Sequence, residues 1–181
     1  MALLASFNKV QLFTGVIYNA TVSLTTLYQD LEHYFNNSIT LISDRFAFDH
    51  STYYNTEMGD SLNRIFIGFE TLISPEQASQ YKVLATTIEN KYLSNRKRNI
   101  NIDPGILSLH NLILFSTKNF SHRIPCSQGI YAELTLLYQK NQFQALDWTY
   151  PDFKHTGIQT YFLTLRHNYH QKLNQEAVNH D

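Results

Sequence analysis

Cysteine is almost absent from this sequence, because Cys126 is the only one in 181 residues. A single thiol cannot form an intramolecular disulfide and cannot build a cysteine-based zinc site. Both features suit a reducing compartment, so we expect a cytoplasmic protein.

Long hydrophobic runs and an excess of charge of one sign are also missing. No stretch approaches the ~20 apolar residues of a membrane span, and the N-terminus lacks the pattern of a secretion signal. Fourteen Lys and Arg against fifteen Asp and Glu leave a net charge of −1, so no overall field attracts nucleic acid or membranes. We expect no membrane insertion, and any anion-binding site has to be local.

The standard nucleotide-binding and hydrolase motifs are missing as well. The sequence contains no G-x-x-x-x-G-K-[ST], G-x-G-x-x-G, H-E-x-x-H or G-x-S-x-G, so those familiar functions gain no support. Aromatic residues are abundant at 14%, which favours an ordered core over disorder.

Hydrophobic periodicity predicts an α+β domain. Apolar residues alternate in strand-like segments and recur at helical spacing between them. The order βαββαβ predicts the ferredoxin-like plan, in which two helices cover one face of a four-stranded antiparallel sheet. The strands are expected near residues 10–18, 39–48, 64–69 and 99–102, and the helices near residues 24–35 and 74–92.

The last third of the chain is expected to extend this plan. Residues 103–105, Asp-Pro-Gly, are predicted to close the fourth strand as a turn. A hairpin within residues 130–146 and a final helix over residues 158–173 follow. We find no repeat or linker, so residues 1–181 are expected to form one domain.

The segment of residues 116–123 is the strongest candidate for an anion site. Lys118 offers a point charge, Arg123 a bidentate fork, and His122 a group that transfers protons near neutral pH. Together they favour a phosphate or a carboxylate as the ligand. The alternative is a solvated connecting loop.

Two carboxylates complete this hypothesis. Glu133 lies in a strand-like segment that predicts partial burial, and a half-buried carboxylate needs a cation. Its partner is expected to be Arg123 or Lys118 structurally, or a metal or substrate functionally. Asp103 either bonds its own turn or takes part in the site.

Two further segments offer polar groups. The loop of residues 48–59 carries Asp49, Tyr53 and Glu57, and long polar loops often bear function. In residues 147–153, Asp152 belongs either to a mobile cover or to an aromatic plug over the sheet. Surface packing alone is the alternative for both.

Four stretches, in this order along the chain, carry a family resemblance. They are FDHSTYYNTEMG at residues 48–59, NIDPG at 101–105, TKNFSHRI at 117–124 running into GIYAE at 129–133, and WTYPDF at 148–153. Through them the chain resembles the bacterial domain-of-unknown-function 4416 family over nearly its whole length. The resemblance implies no established activity, but it directs attention to the candidate residues inside these stretches.

Our main hypothesis is a protein that binds, and in one version acts on, a phosphorylated small molecule or a nucleotide. Whether the carboxylates hold a divalent metal or take a proton stays open, and so does catalysis itself. The alternatives are an RNA-binding ferredoxin-like module, for which residues 64–69 would offer stacking aromatics, and a non-catalytic assembly protein. The catalytic candidates are His122, Glu133 and Asp103, and the ligand-binding candidates are Lys118, Arg123, Asp49, Tyr53, Glu57 and Asp152.

Overall fold

A wide antiparallel β-sheet forms the centre of the computed structural model of the chain, which describes residues 6–49, 51 and 53–178. The strands are β1 (Gln11–Tyr18), β2 (Ile39–Ile42), β3 (Phe46–Phe48), β4 (Leu62–Phe69), β5 (Leu93–Ser94), β6 (Lys97–Arg98), β7 (Ile100–Leu107), β8 (Asn111–Ser116), β9 (Arg123–Pro125), β10 (Tyr131–Gln139) and β11 (Gln142–Ala145). The helices are α1 (Leu24–Phe35), α2 (Asn55–Met58), α3 (Gln80–Lys91) and α4 (Thr156–Val178).

The main sheet follows the order β11-β10-β8-β7-β1-β4-β2, with β3 added to β4 and β9 added to β10. The α+β class and the antiparallel sheet are therefore confirmed. The sheet is much wider than the four strands predicted, since it has nine strands in the described part of the chain. The hairpin β5–β6 forms a separate two-stranded sheet.

Helices α1 and α3 cover one face of the sheet. They bury the apolar stripes that the sequence predicted against the inward side chains of β1, β4 and β7. Ser23 caps α1 by accepting a hydrogen bond from the Thr26 amide, and Asn36 ends it in the left-handed conformation. The predicted cap at Ser74 begins a short 3-10 turn, Pro75–Gln77, and α3 starts only at Gln80.

Helix α4 covers only part of the opposite face. Ile158, Phe162, Leu165 and Tyr169 are spaced four, three and four residues apart and are buried against Phe13 and its neighbours. This confirms the predicted final stripe. None of the described helices combines the length and the apolar character needed to cross a membrane. The remainder of this face carries a small apolar cluster around Ile17 and Leu62 and the polar residues of the candidate site.

The predicted turn at residues 103–105 is wrong, because Asp103, Pro104 and Gly105 all lie inside β7. Proline is tolerated in a strand where its nitrogen faces an unpaired edge. The pairing of β7 with β8 ends at Gly105–Leu114, so Pro104 lies beyond the ladder on that side. Gly105 serves close packing, since a Cβ atom there would lie 2.6 Å from the Ile113 carbonyl oxygen.

Strands β7 and β8 separate beyond this point, and side chains of α3 take the place of the missing strand. The Ile102 amide donates to the Glu89 carboxylate at 2.6 Å, and the Ile102 carbonyl accepts from the Lys82 ammonium group. Both polar groups of this edge residue are thus satisfied. The gap between the two strands leads from α3 to the polar part of the opposite face.

Candidate functional site

A cavity of about 560 Å³ lies where β7 and β8 separate. We call it the β7–β8 cavity. Its size is that of a pocket for a small organic ligand or cofactor. Its charged lining residues are Arg64, Lys82, Arg98 and Lys118 with Glu89, Asp103, Glu133 and Asp152, and its aromatic lining residues are Phe48, Tyr53, Tyr54, Phe115, Tyr150 and Phe153.

Arg64 is the most deeply buried cation of the cavity, since its side chain is only 4% exposed. Strand β4 directs it over Gly15 on the neighbouring strand, where a Cβ atom would lie 2.9 Å from the guanidinium carbon. The same carbon lies 4.7 Å from the centre of the Phe66 ring and 5.7 Å from that of Phe153. Glycine and two aromatic rings therefore fix the position of this charge.

The hydrogen-bonding capacity of Arg64 is only partly used. Its Nη1 lies 3.4 Å from Asp103 Oδ2, and its Nε lies 3.6 Å from Asp152 Oδ2. Nε is buried and has no hydrogen-bond partner among the described residues. A buried guanidinium usually forms a complete set of short bonds, so this arrangement leaves donor capacity at the cavity.

Asp103 lies at the centre of the polar network. Lys82 Nζ lies 3.3 Å from its Oδ1, and Asn101 donates to its Oδ2 at 2.7 Å. Burial works to raise the pKa of Asp103, but the positive charges of Lys82 and Arg64 hold it below its ordinary value. Asp103 is therefore a carboxylate at neutral pH, suited to accept hydrogen bonds and not to donate a proton.

Lys82 and Glu89 form a buried pair on α3, seven residues apart, with 3.6 Å between Nζ and Oε1. Their side chains are 7% and 8% exposed. Burial raises the pKa of Glu89 against the lowering effect of Lys82. Both residues line the cavity, and both bond the backbone of Ile102 on β7.

Glu133 forms the wall of the cavity on β10, and the residue is only 1% exposed. Arg123 Nε donates to its Oε2 at 2.7 Å, and His122 Nε2 lies 3.1 Å from the same oxygen. Its other oxygen, Oε1, is buried and has no hydrogen-bond partner in the described part of the chain. Of the two cations expected from the sequence as partners of Glu133, Arg123 and Lys118, the structure pairs it with Arg123.

His122 and Arg123 lie behind this wall, outside the described lining of the cavity. The His122 ring stacks on Trp148, with ring centres 5.0 Å apart and an angle of 9° between the planes. Arg123 donates to the Tyr150 hydroxyl at 2.7 Å. Both side chains position cavity residues and do not face the cavity directly.

Two contacts hold the segment of residues 53–58 at the mouth of the cavity. Lys118 donates to the Tyr53 hydroxyl at 2.8 Å, and this hydrogen bond lowers the pKa of Tyr53. Arg98 binds Glu57 through two nitrogens at 2.8 and 2.7 Å. Asp49 precedes this segment, is exposed and is not among the described lining residues, and His50 lies outside the described residues.

The Glu57–Arg98 pair predicts a pH effect. The hydrogen bond from Arg98 lowers the pKa of Glu57 below its ordinary value of 4.5, so the pair stabilises the fold above that value and is lost as the pH falls. Urea unfolding from pH 7 to pH 3 should show the stability difference between the wild type and Glu57→Gln shrinking below about pH 4.5. A difference that stays constant over this range would contradict the role of the pair.

The structure brings together five of the nine candidate residues predicted from the sequence. Tyr53, Asp103, Lys118, Glu133 and Asp152 line the cavity. The other four, Asp49, Glu57, His122 and Arg123, are not among the described lining residues. Three of them, Glu57, His122 and Arg123, bind residues that line the cavity.

Sequence reasoning missed four charged residues of the cavity: Arg64, Lys82, Glu89 and Arg98. A signal existed for three of them. Arg64 alternates with apolar residues inside a strand pattern, and Lys82 and Glu89 lie seven residues apart beside the apolar stripe of α3. Charged residues at such positions indicate a buried polar role.

The described residues contain no group of three or more His, Cys, Asp or Glu side chains with a geometry suited to a metal ion. The carboxylates of the cavity are instead engaged by cations. Asp103 and Glu89 share Lys82, and Glu133 is held by Arg123.

Comparison with known protein families identifies a match over most of the chain. A family model described as "Domain of unknown function (DUF4416)" covers residues 8–169. No curated protein and no solved structure matches the chain. The cavity and all of its lining residues lie within the matched region.

Proposed function

The chain belongs to the DUF4416 family, and because that description states no activity, we propose from the cavity itself that this protein binds a phosphorylated small molecule or a nucleotide. The observation that carries the proposal is Arg64. It is a buried cation fixed over Gly15, with a buried Nε that has no hydrogen-bond partner among the described residues. Phosphate oxygens are natural acceptors for such a guanidinium.

Lys118 adds a second cation at the mouth of the cavity. Its ammonium nitrogen lies 2.8 Å from the Tyr53 hydroxyl oxygen and 4.1 Å from the centre of the Tyr53 ring. Among the described residues, no carboxylate forms an ion pair with it. Its charge is therefore available to an anionic ligand. An anion between Lys118 and Arg64 would engage an exposed and a buried cation at once.

The remaining lining suits the non-phosphate part of such a ligand. Phe48, Phe115 and Phe153 provide apolar surface, and Tyr54 and Tyr150 present hydroxyl groups beside it. Binding pockets for small molecules typically combine an apolar body with a few placed polar groups. The RNA-binding alternative loses its stacking surface, because Phe66 and Phe69 of β4 are fully buried.

We further propose that β7-β1-β4-β2, with α1 and α3 on one face, is a ferredoxin-like core to which the other strands are added. The strand order and the antiparallel pairing support this. We propose a cytoplasmic location, because the single cysteine, Cys126, is a free and exposed thiol, which suits a reducing compartment.

Thermal unfolding with a panel of phosphorylated compounds tests the proposed function. The panel would contain ribose 5-phosphate, ATP, GTP and pyrophosphate, each with and without Mg²⁺. A ligand at 100 times its dissociation constant should stabilise the fold by about 2.7 kcal/mol. If no compound raises the unfolding temperature, the proposal is wrong.

Two glycine variants then locate the binding site. Gly15→Ala places a methyl group against the Arg64 guanidinium, whereas Gly68→Ala places one 2.5 Å from Leu165 Cδ1, under α4. Both should lose roughly 1–3 kcal/mol from overpacking. Only Gly15→Ala should also weaken ligand binding, by about tenfold or more. Equal affinities in isothermal titration would place the ligand elsewhere.

A further inference from the structure

Glu133 has one oxygen in use and one without a partner. Oε2 accepts from Arg123 and lies within hydrogen-bond distance of His122, and both of these residues lie outside the described lining. Oε1 is buried, and no described residue donates to it. Glu133 lines the cavity, and Oε1 is its only oxygen without a described donor, so we take Oε1 as the acceptor that a ligand group would use.

The chemistry of this oxygen selects a neutral donor. Arg123 already balances the charge of Glu133 at 2.7 Å, so a second cation would add a positive charge without a counterion. A buried acceptor without a donor is unfavourable by about 1–3 kcal/mol, and a hydroxyl group removes that cost without adding charge. A hydroxyl therefore fits better than an ammonium group.

The sheet places this acceptor on the same face as the anion-binding cations. Glu133 on β10 pairs with Leu114 on β8, and Leu114 pairs with Gly105 on β7. Asp103 lies two residues before Gly105 and therefore on the same face of β7. Two strand spacings, roughly 10 Å, separate the backbones of Glu133 and β7. Arg64 reaches the β7 side by its contact with Asp103.

From these observations, and resting on the proposed function, we infer that the ligand is a sugar phosphate or a ribonucleotide whose sugar hydroxyl donates to Glu133 Oε1. The phosphate then lies toward Arg64 and Lys118, and the sugar lies against β10. Glu133 distinguishes hydroxyl-bearing phosphate compounds from simple anions.

The substitution Glu133→Gln tests this directly. Arg123 Nε only donates, so the amide oxygen turns toward Arg123 and the amide NH₂ group replaces Oε1. The charged acceptor becomes a neutral donor with little change of shape, so a sugar hydroxyl can bond to it only by accepting, in a weaker neutral hydrogen bond. Binding of ribose 5-phosphate should weaken by about tenfold, whereas binding of sulfate, which has no donor at neutral pH, should not weaken, because the substitution removes a negative charge.

Titration calorimetry and NMR titration of the same samples measure both probes, and Glu76→Gln, an exposed surface change, is the matched control. If the wild type binds neither probe, the proposed function fails and this inference fails with it. If both probes bind and Glu133→Gln weakens them equally or not at all, the hydroxyl inference alone is overturned.

A comparison of ligands on the wild type covers the case in which Glu133→Gln does not fold. Removing the hydroxyl that contacts Glu133 should cost about tenfold in affinity between ribose 5-phosphate and its 1-deoxy, 2-deoxy or 3-deoxy counterpart. If none of the three deoxy compounds binds more weakly by at least about threefold, Glu133 does not contact a ring hydroxyl and the inference is wrong.

Discussion

Replacing Arg64 by methionine should lower the free energy of unfolding by about 3–5 kcal/mol and abolish binding of the phosphorylated ligand. Methionine fills much of the same volume between Phe66 and Phe153, so the loss is mainly electrostatic. Asp103 keeps Lys82 as a cation, but Asp152, at 7% side-chain exposure, loses the one cation with which it is paired in the described structure.

A double substitution separates the charge effect from packing. Asp152→Asn in the Arg64→Met background removes the uncompensated carboxylate, so it should recover part of the lost stability without restoring ligand binding. Urea unfolding and calorimetry measure the two effects. Arg45→Met, at an exposed arginine, is the control and should change stability by less than about 0.5 kcal/mol. A loss in Arg64→Met no larger than in this control would contradict the buried-charge argument.

Periodicity was sufficient to predict the layers of this fold. The apolar alternation of β1 and β4 and the stripes of α1, α3 and α4 follow from burial on one face, which depends only on nearby residues. The width of the sheet did not follow, because the addition of β8 and β10 beside β7 depends on pairing between segments distant in sequence.

The error at Asp103 has the same cause. Asp-Pro-Gly is a strong local turn signal, and the sequence gives no sign that β8 leaves β7 beside Pro104 and makes an extended proline acceptable. The candidate site shows this limit again. Glu133 and Asp103 could be selected as carboxylates in need of cations, but their partners Arg123 and Lys82 are fixed by the tertiary structure.

Lys82→Met should produce the second large loss, about 3 kcal/mol at neutral pH. Lys82 is the cation between Glu89 and Asp103, and it also donates to the edge carbonyl of Ile102. Its removal leaves two carboxylates with less compensation and one backbone acceptor without its donor. The ligand cavity loses the support of its β7 edge at the same time.

The pH dependence of this loss identifies its origin. Burial already raises the pKa of Glu89 above its ordinary value of 4.5, and Lys82 opposes that rise. Without Lys82 the folded-state pKa rises further, so the folded variant holds a proton that the unfolded chain releases, and stability falls as the pH rises through about 4.5 and above. The loss in Lys82→Met should therefore be smaller near pH 4, where the unpaired Ile102 carbonyl still contributes, and larger at pH 7.

Urea unfolding at several pH values distinguishes this loss of charge compensation from a loss of packing, because lost packing would reduce stability equally at each pH. Thr87→Met, at an exposed position of the same helix, controls for methionine in α3 and should change stability by less than about 0.5 kcal/mol. Amide exchange adds a local measurement, because Ile102 donates its N–H to Glu89. If that amide exchanges no faster in Lys82→Met, α3 does not hold the open edge of β7 through this pair.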